Sequence, residues 1–106
     1  MWNAPTKKQL SLIPNLYAQE NVKDKKIYMK FFMGGWTWYV AEIDHSNWDT
    51  MFCYVISPMK YGSGEWGYTS LQELKSMKKD YMQVDRDLYS AKPRKPKLLS
   101  TLLKEG

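Results

Sequence analysis

Cysteine and histidine are almost absent from this sequence: its 106 residues include only one of each, Cys53 and His45. One cysteine excludes an intrachain disulfide, and a zinc site usually takes three or four ligands from Cys, His and carboxylates. No apolar run approaches the ~20 residues that cross a bilayer, and the first residues lack the basic and then apolar pattern of a signal peptide. We therefore expect a cytoplasmic protein with no membrane anchor, no metal and no other cofactor.

A nucleophilic enzyme of the Cys–His type is not expected either. Cys53 lies in the middle of the apolar run 51–56, where a free cysteine usually behaves as a small buried hydrophobe. His45 lies in a polar turn, and activation of a thiol needs a base held beside it. Both residues are therefore expected to be structural.

Most of the chain has little excess charge of either sign, and the excess positive charge is concentrated in its last 17 residues. The net charge is +5, but residues 1–89 hold eleven basic and ten acidic side chains, whereas residues 90–106 hold five basic and one acidic. A basic segment attracts phosphates without reading a base sequence, or it serves as a solvated terminus. The basic candidates for nucleic-acid binding are Lys92, Arg94, Lys95 and Lys97.

Alternating apolar residues predict an antiparallel sheet of four to five strands. Such a run at 27–33 is followed by Gly34-Gly35 and then by a second run at 36–43. This pattern is typical of a β-hairpin, because both glycines tolerate the positive φ of a tight turn. The predicted strands are 27–33, 36–43, 51–57 and 65–69, with a candidate fifth at 84–89.

Capping patterns predict helices on either side of these strands. Thr6 with Gln9 begins a short N-terminal helix, and Ser70 with Glu73 begins a helix after the fourth strand. Helices before and after consecutive strands indicate a single globular α+β domain over residues 1–89. 

The rest of the chain, residues 90–106, is predicted to be a basic, proline-containing tail. Its short amphipathic helix at 97–104 is too short to be stable alone in water and must dock on another surface. Within the domain, Leu16 and Tyr17 are expected core anchors of an irregular crossing, and residues 61–64 are expected to form a loop.

Aromatic residues are abundant: five tryptophans, eight tyrosines and three phenylalanines. Most fall on both faces of the predicted sheet, while the predicted helices cover only one face. We therefore expect some rings to stay exposed, where they can anchor a protein partner or stack single-stranded bases. The candidates are Trp36, Trp38, Tyr39, Trp48, Trp66 and Tyr68.

Asp85 and Asp87 form the best carboxylate pair, because alternation along a strand places both on one face. Two such carboxylates can hold Mg²⁺ or act as acid and base. The alternative is a structural ion pair in which a partly buried Arg86 takes Glu65 or Glu42 as its partner, since buried charges need partners.

Several short motifs follow one another along the chain, among them Ile13-Pro14, Leu16-Tyr17, Trp36-Thr37-Trp38-Tyr39, Gly67-Tyr68, Ser70-Leu71 and Arg86-Asp87-Leu88-Tyr89. In this order they resemble a small domain-of-unknown-function family that plasmids, conjugative elements and phages encode. The likeness covers about residues 7–89. It implies a mobile-element or phage setting, with no named reaction and no catalytic residues to carry over.

Three functions follow from these patterns. The leading one is a small, non-enzymatic binding protein of a phage or mobile element that engages or inhibits a host protein or defence complex. The alternative is a nucleic-acid-binding accessory protein, single-strand-specific or non-specific, that uses the basic tail with sheet aromatics. The third is a Mg²⁺-dependent enzyme that uses Asp85 and Asp87.

Overall fold

The computed structural model describes residues 1–60, 63–79 and 81–105, so two residues of the expected loop, Tyr61 and Gly62, and the final residue of the tail lie outside the described residues. Its helices are α1 (Lys7–Ser11), α2 (Leu71–Ser76) and α3 (Leu99–Glu105), with a 3-10 turn at Pro58–Lys60. Its strands are β1 (Lys26–Ile27), β2 (Met29–Met33), β3 (Trp36–Ile43), β4 (Thr50–Ile56), β5 (Gly64–Ser70), β6 (Lys78–Lys79), β7 (Met82–Gln83), β8 (Asp85–Asp87) and β9 (Lys97–Leu98). Within these ranges no helix has the length and apolar character needed to cross a membrane.

A five-stranded antiparallel sheet in the order β5-β4-β3-β2-β8 organises the fold. The predicted hairpin is confirmed, because Met33 pairs with Trp36 and leaves Gly34 and Gly35 as a two-residue loop. Gly34 has a φ of 58°, which glycine adopts without a Cβ clash. The α+β class, the N-terminal helix and the helix after the fourth strand of this sheet are confirmed as well.

The first face of the sheet carries the main hydrophobic core. α1 and α2 cover this face, each with one buried leucine, Leu10 and Leu74. α1 begins with the predicted capping box, in which Thr6 Oγ1 accepts the Gln9 N–H at 3.1 Å and Gln9 Oε1 accepts the Thr6 N–H at 2.9 Å. Strand residues that complete this core include Met29, Phe31, Trp38, Val40, Ile43, Met51 and Cys53.

The C-terminal segment covers the second face. Its helix α3 is fixed at its first turn, where the Leu99 N–H donates to the Lys25 carbonyl at 2.9 Å and the Ser100 N–H donates to Asp24 Oδ1 at 3.1 Å. Leu99 and Leu102 therefore pack on the sheet of their own chain, and the expectation that helices cover only one face is wrong. The buried residues of this second cluster are Ile27, Tyr39, Ala41, Ala91, Leu99 and Leu102.

Two of the expected surface rings are interior as a result. Trp38 is 2% exposed in the main core, and Tyr39 is 4% exposed in the second cluster. Both lie on β3, the central strand, which has β2 and β4 on its two sides. Because helices cover both faces at this strand, the prediction that Trp38 and Tyr39 are surface residues is wrong.

Candidate functional site

Four rings form a continuous surface at the β5 edge of the sheet: Tyr17, Phe52, Trp66 and Tyr68, here called the aromatic surface. The pairing of β4 with β5 places Phe52 opposite Tyr68. The Phe52 ring centroid lies 5.0 Å from that of Trp66 and 5.2 Å from that of Tyr68, within the range of favourable ring contacts. Tyr17 is 64% exposed and Tyr68 55% exposed, while Phe52 and Trp66 are half-buried.

Tyr17 contradicts the expectation that it is a core anchor. Its φ of 72° lies in the left-handed region, which a bulky residue adopts only under strain. The side chain of Glu42, only 3% exposed, accepts the Tyr17 N–H at 2.9 Å and the Gln19 N–H at 2.6 Å. A buried carboxylate therefore holds the segment that presents the exposed Tyr17 ring.

A β-bulge in β3 places Glu42 under Tyr17. Val40 pairs with Cys53 but Glu42 pairs with Phe52, so Ala41 is an extra residue on β3. Simple alternation would have put Glu42 on the face of Val40, inside the main core. Because the carboxylate binds the backbone of the 17–19 segment, the expected ion pair between Arg86 and Glu42 is wrong.

Two carboxylates, Glu20 and Glu42, lie close to the aromatic surface. The pKa of Tyr68 is raised, first by a hydrogen bond with Tyr17, then by loss of water and by the negative charges of Glu42 and Glu20. Lys25 adds a positive charge beside the aromatic surface. Its Nζ lies 5.4 Å from the Trp66 ring centroid, in cation–π contact. This environment suits a neutral or cationic ligand better than a polyanion.

β5 also offers an unpaired strand edge next to these rings. The Leu71 N–H donates to the Asp49 carbonyl at 3.0 Å, and antiparallel pairing alternates from there along β5. The backbone N–H and C=O groups of Trp66 and Tyr68 therefore point away from β4. No strand in the described ranges pairs with this outer side. Unpaired edges of this kind accept an added strand.

The remaining ring candidates lie elsewhere. Trp36 is 39% exposed and stacks on Trp38, with centroids 5.8 Å apart, on the face that holds the main core. Trp48 is half-buried and stacks on His45 at 4.4 Å. Neither belongs to the aromatic surface, which contains two of the six candidates, Trp66 and Tyr68.

Arg86 lies at the opposite edge of the sheet, on β8, so Glu65 on β5 is about 19 Å away across four strand spacings and the predicted pair with Glu65 is wrong. Its guanidinium instead donates to two neutral amides, from Nη1 to Gln9 Oε1 at 3.0 Å and from Nη2 to Asn3 Oδ1 at 3.2 Å. Its Nε–H is buried and has no acceptor among the described residues. Desolvation lowers the pKa of Arg86.

Asp85 and Asp87 share a face, as alternation predicts, but other groups bind both carboxylates. Asp85 Oδ1 accepts the Arg86 backbone N–H at 2.8 Å. Asp87 accepts hydrogen bonds from Tyr89 N–H, Ser90 N–H and Ser90 Oγ at 2.6–2.9 Å, and Lys30 Nζ lies 3.6 Å away. Burial acts to raise the pKa of Asp87, but these hydrogen bonds and Lys30 outweigh it and the pKa is lowered. Among residues that the structure describes, no group of three His, Cys, Asp or Glu side chains is placed to hold a metal.

Three of the four basic tail candidates lie in a turn close to Arg86. Lys92 and Lys95 pair across it, with the Lys95 N–H donating to the Lys92 carbonyl at 3.0 Å, and Arg94 lies at its tip. Lys97 lies apart in β9, and its Nζ is 3.5 Å from a Glu105 carboxylate oxygen. Three of the four candidates thus cluster near β8.

Cys53 and His45 are structural, in agreement with the sequence. Cys53 is fully buried and desolvation strongly raises the pKa of its thiol, which keeps it protonated. His45 Nε2 hydrogen-bonds to the Ile13 carbonyl at 2.7 Å.

Sequence reasoning missed two members of the aromatic surface. Phe52 could have been found from strand register, since it lies opposite Tyr68. Tyr17 carries no sequence signal for its position, because its exposure depends on Glu42, 25 residues later, and on the bulge that places this carboxylate.

The structure is a small α+β domain with an aromatic surface at one edge of its sheet. The chain belongs to the family described as "Protein of unknown function (DUF2958)", whose match covers residues 5–101. The predicted membership in a domain-of-unknown-function family is therefore confirmed. Comparison with curated proteins and with solved structures gives no match.

Proposed function

We propose that this protein is a non-enzymatic binding protein that engages another protein through the aromatic surface. The observation that carries this proposal is that the Phe52 ring contacts the half-buried Trp66 and the exposed Tyr68, beside the unpaired backbone of Trp66 and Tyr68. A partner segment in extended conformation adds to β5 by main-chain hydrogen bonds and places apolar or aromatic side chains against Phe52 and Tyr68. Tyr and Trp are the residue types that most often anchor such interfaces.

Charge favours a protein partner over single-stranded nucleic acid at this surface. A nucleic-acid platform combines stacking rings with a cationic track. Here Glu20 and Glu42 border the rings, whereas Arg86, Lys92 and Arg94 lie near the β8 edge. A partner segment that carries lysine or arginine next to an apolar residue fits this surface best.

The biological setting is part of the proposal. The resemblance to a small family that plasmids, conjugative elements and phages encode supports a host protein or defence complex as the partner. The membership in a family of unknown function is compatible with that setting and names no activity.

Capture from host lysate with matched variants tests the proposal. Tyr68→Ser removes an exposed ring of the aromatic surface, and Tyr89→Ser removes a ring that is 84% exposed just beyond β8. We expect a specific protein that wild type and Tyr89→Ser retain equally and that Tyr68→Ser retains at least about tenfold less, as for an interface hot spot.

Two results would contradict the proposal. One is a captured protein that Tyr68→Ser retains as well as wild type does. The other is recovery of nucleic acid in place of protein, with nuclease treatment abolishing all capture and with no effect of Tyr68→Ser.

A further inference from the structure

A second feature lies far from the aromatic surface, in a cleft of about 200 Å³ between α1, β8 and the turn at residues 92–95. Three cationic side chains line it, and its wall is partly apolar. The cationic residues are Arg86, Lys92 and Arg94, and the apolar ones include Leu12, Leu88 and Pro93. We call this the cationic cleft.

Arg86 is the least exposed of the three cations that line the cleft. Buried cations are usually paired with carboxylates, because neutral partners satisfy hydrogen bonds without balancing the charge. Arg86 donates to the amide oxygens of Gln9 and Asn3, and no carboxylate in the described part of the chain forms an ion pair with it. Its Nε–H also has no acceptor within residues 1–60, 63–79 and 81–105. The negative charge of Asp85 acts on the Arg86 guanidinium without contacting it, so the guanidinium is bonded only by neutral groups among the described residues.

Asp87 also lines this cleft, but its hydrogen bonds come from groups other than the Arg86 guanidinium. It accepts three hydrogen bonds from Tyr89 and Ser90 and is close to Lys30. Lys92 and Arg94 add positive charge at the mouth of the cleft. The local balance is therefore positive even though the body of the protein is nearly neutral.

We propose that the cationic cleft binds a phosphate group, with Arg86 at its base and Lys92 and Arg94 at its mouth. Arginine recognises phosphate by charge-assisted hydrogen bonds. The volume is below the ~300–1,000 Å³ of pockets for larger ligands, so the cleft takes free phosphate or the phosphate end of a larger molecule. This proposal is independent of the partner surface, since it concerns the other edge of the sheet.

An NMR titration of the full chain at constant ionic strength tests it. The probes are inorganic phosphate and a nucleoside 5′-monophosphate, with the unphosphorylated nucleoside as reference. We expect a saturable shift of the Arg86 Nε–H resonance with both phosphates and none with the nucleoside. Tighter binding of the monophosphate would show that the cleft also contacts the organic part, and equal affinities would assign it to the phosphate alone.

Exposed residues supply the variants, because Arg86 also fixes α1 and its replacement can unfold the protein. The double variant Lys92→Ala, Arg94→Ala should weaken phosphate binding at least about tenfold. Lys78→Ala, Lys79→Ala removes the same charge from exposed residues outside the cleft and should bind as wild type does. A linear, unsaturated shift of the Arg86 resonance, or equal loss in the two double variants, would overturn the proposal.

Discussion

Tyr17 shows how a single residue can be held against its own preference. A left-handed backbone costs a non-glycine residue about 1–2 kcal/mol. In this protein the conformation is held by Glu42, whose buried carboxylate accepts two backbone N–H groups. Strain of this kind is often found at binding sites, where it fixes a side chain in a useful position. Here it fixes an exposed ring in the aromatic surface.

Two substitutions at Tyr17 separate backbone strain from loss of the ring. Both Tyr17→Gly and Tyr17→Ala remove the ring, but only glycine is free of the left-handed penalty, which its greater unfolded-state entropy partly offsets. We expect Tyr17→Gly to be more stable than Tyr17→Ala by up to about 1 kcal/mol in urea unfolding. An alanine variant at least as stable as the glycine variant would show that the backbone is not strained.

Individual charges were the least predictable features. Arg86 was correctly expected to be partly buried, but its partners are amides of the N-terminal segment and α1. The two glutamates proposed for it lie on β3 and β5. Strand order decides such pairings, and alternation within a single strand carries no information about strand order.

Sequence motifs correctly predicted those turns and helix starts that depend only on neighbouring residues. Two glycines specify the β2–β3 loop, and Thr6 with Gln9 specifies the start of α1. The bulge at Ala41 has no comparable local motif, and its one trace in the sequence is Glu42, a charged residue where simple alternation expects a core position. It changes the face of Glu42 and so creates the site under Tyr17.

α3 is an element that depends wholly on its docking. It has seven residues, too few to be stable alone, and it buries Leu99 and Leu102 on the second face of the sheet. Sequence periodicity predicted the helix and its need to dock. It did not identify the surface, because Tyr39 and Ala41 come from a strand more than fifty residues earlier.

Adjacent leucines of α3 give a matched test of this docking. Leu102 is 3% exposed and Leu103 is 39% exposed. We expect Leu102→Ala to lower the free energy of unfolding by about 2–5 kcal/mol, because it leaves a cavity in the second cluster. Leu103→Ala should cost much less in the same urea titration. Equal effects of the two substitutions would contradict packing of α3 on the sheet.

In the whole molecule, the two candidate sites lie at opposite edges of the five-stranded sheet. The aromatic surface lies at the β5 edge and the cationic cleft at the β8 edge, about 19 Å apart by strand spacing. The sequence alone indicated exposed rings and a basic tail that act together. The strand order places them at opposite edges, and only tertiary structure could reveal this separation.

In the proposed complex, a partner protein adds a strand to β5 beside the aromatic surface. Hydrogen–deuterium exchange of the full chain, alone and saturated with the captured partner, measures this directly, because the amides of Trp66 and Tyr68 point to the unpaired side. We expect these two amides to exchange at least about tenfold more slowly in the complex, as newly hydrogen-bonded amides do. Unchanged exchange along β5, with any new protection confined to residues 86–95, would contradict the claim.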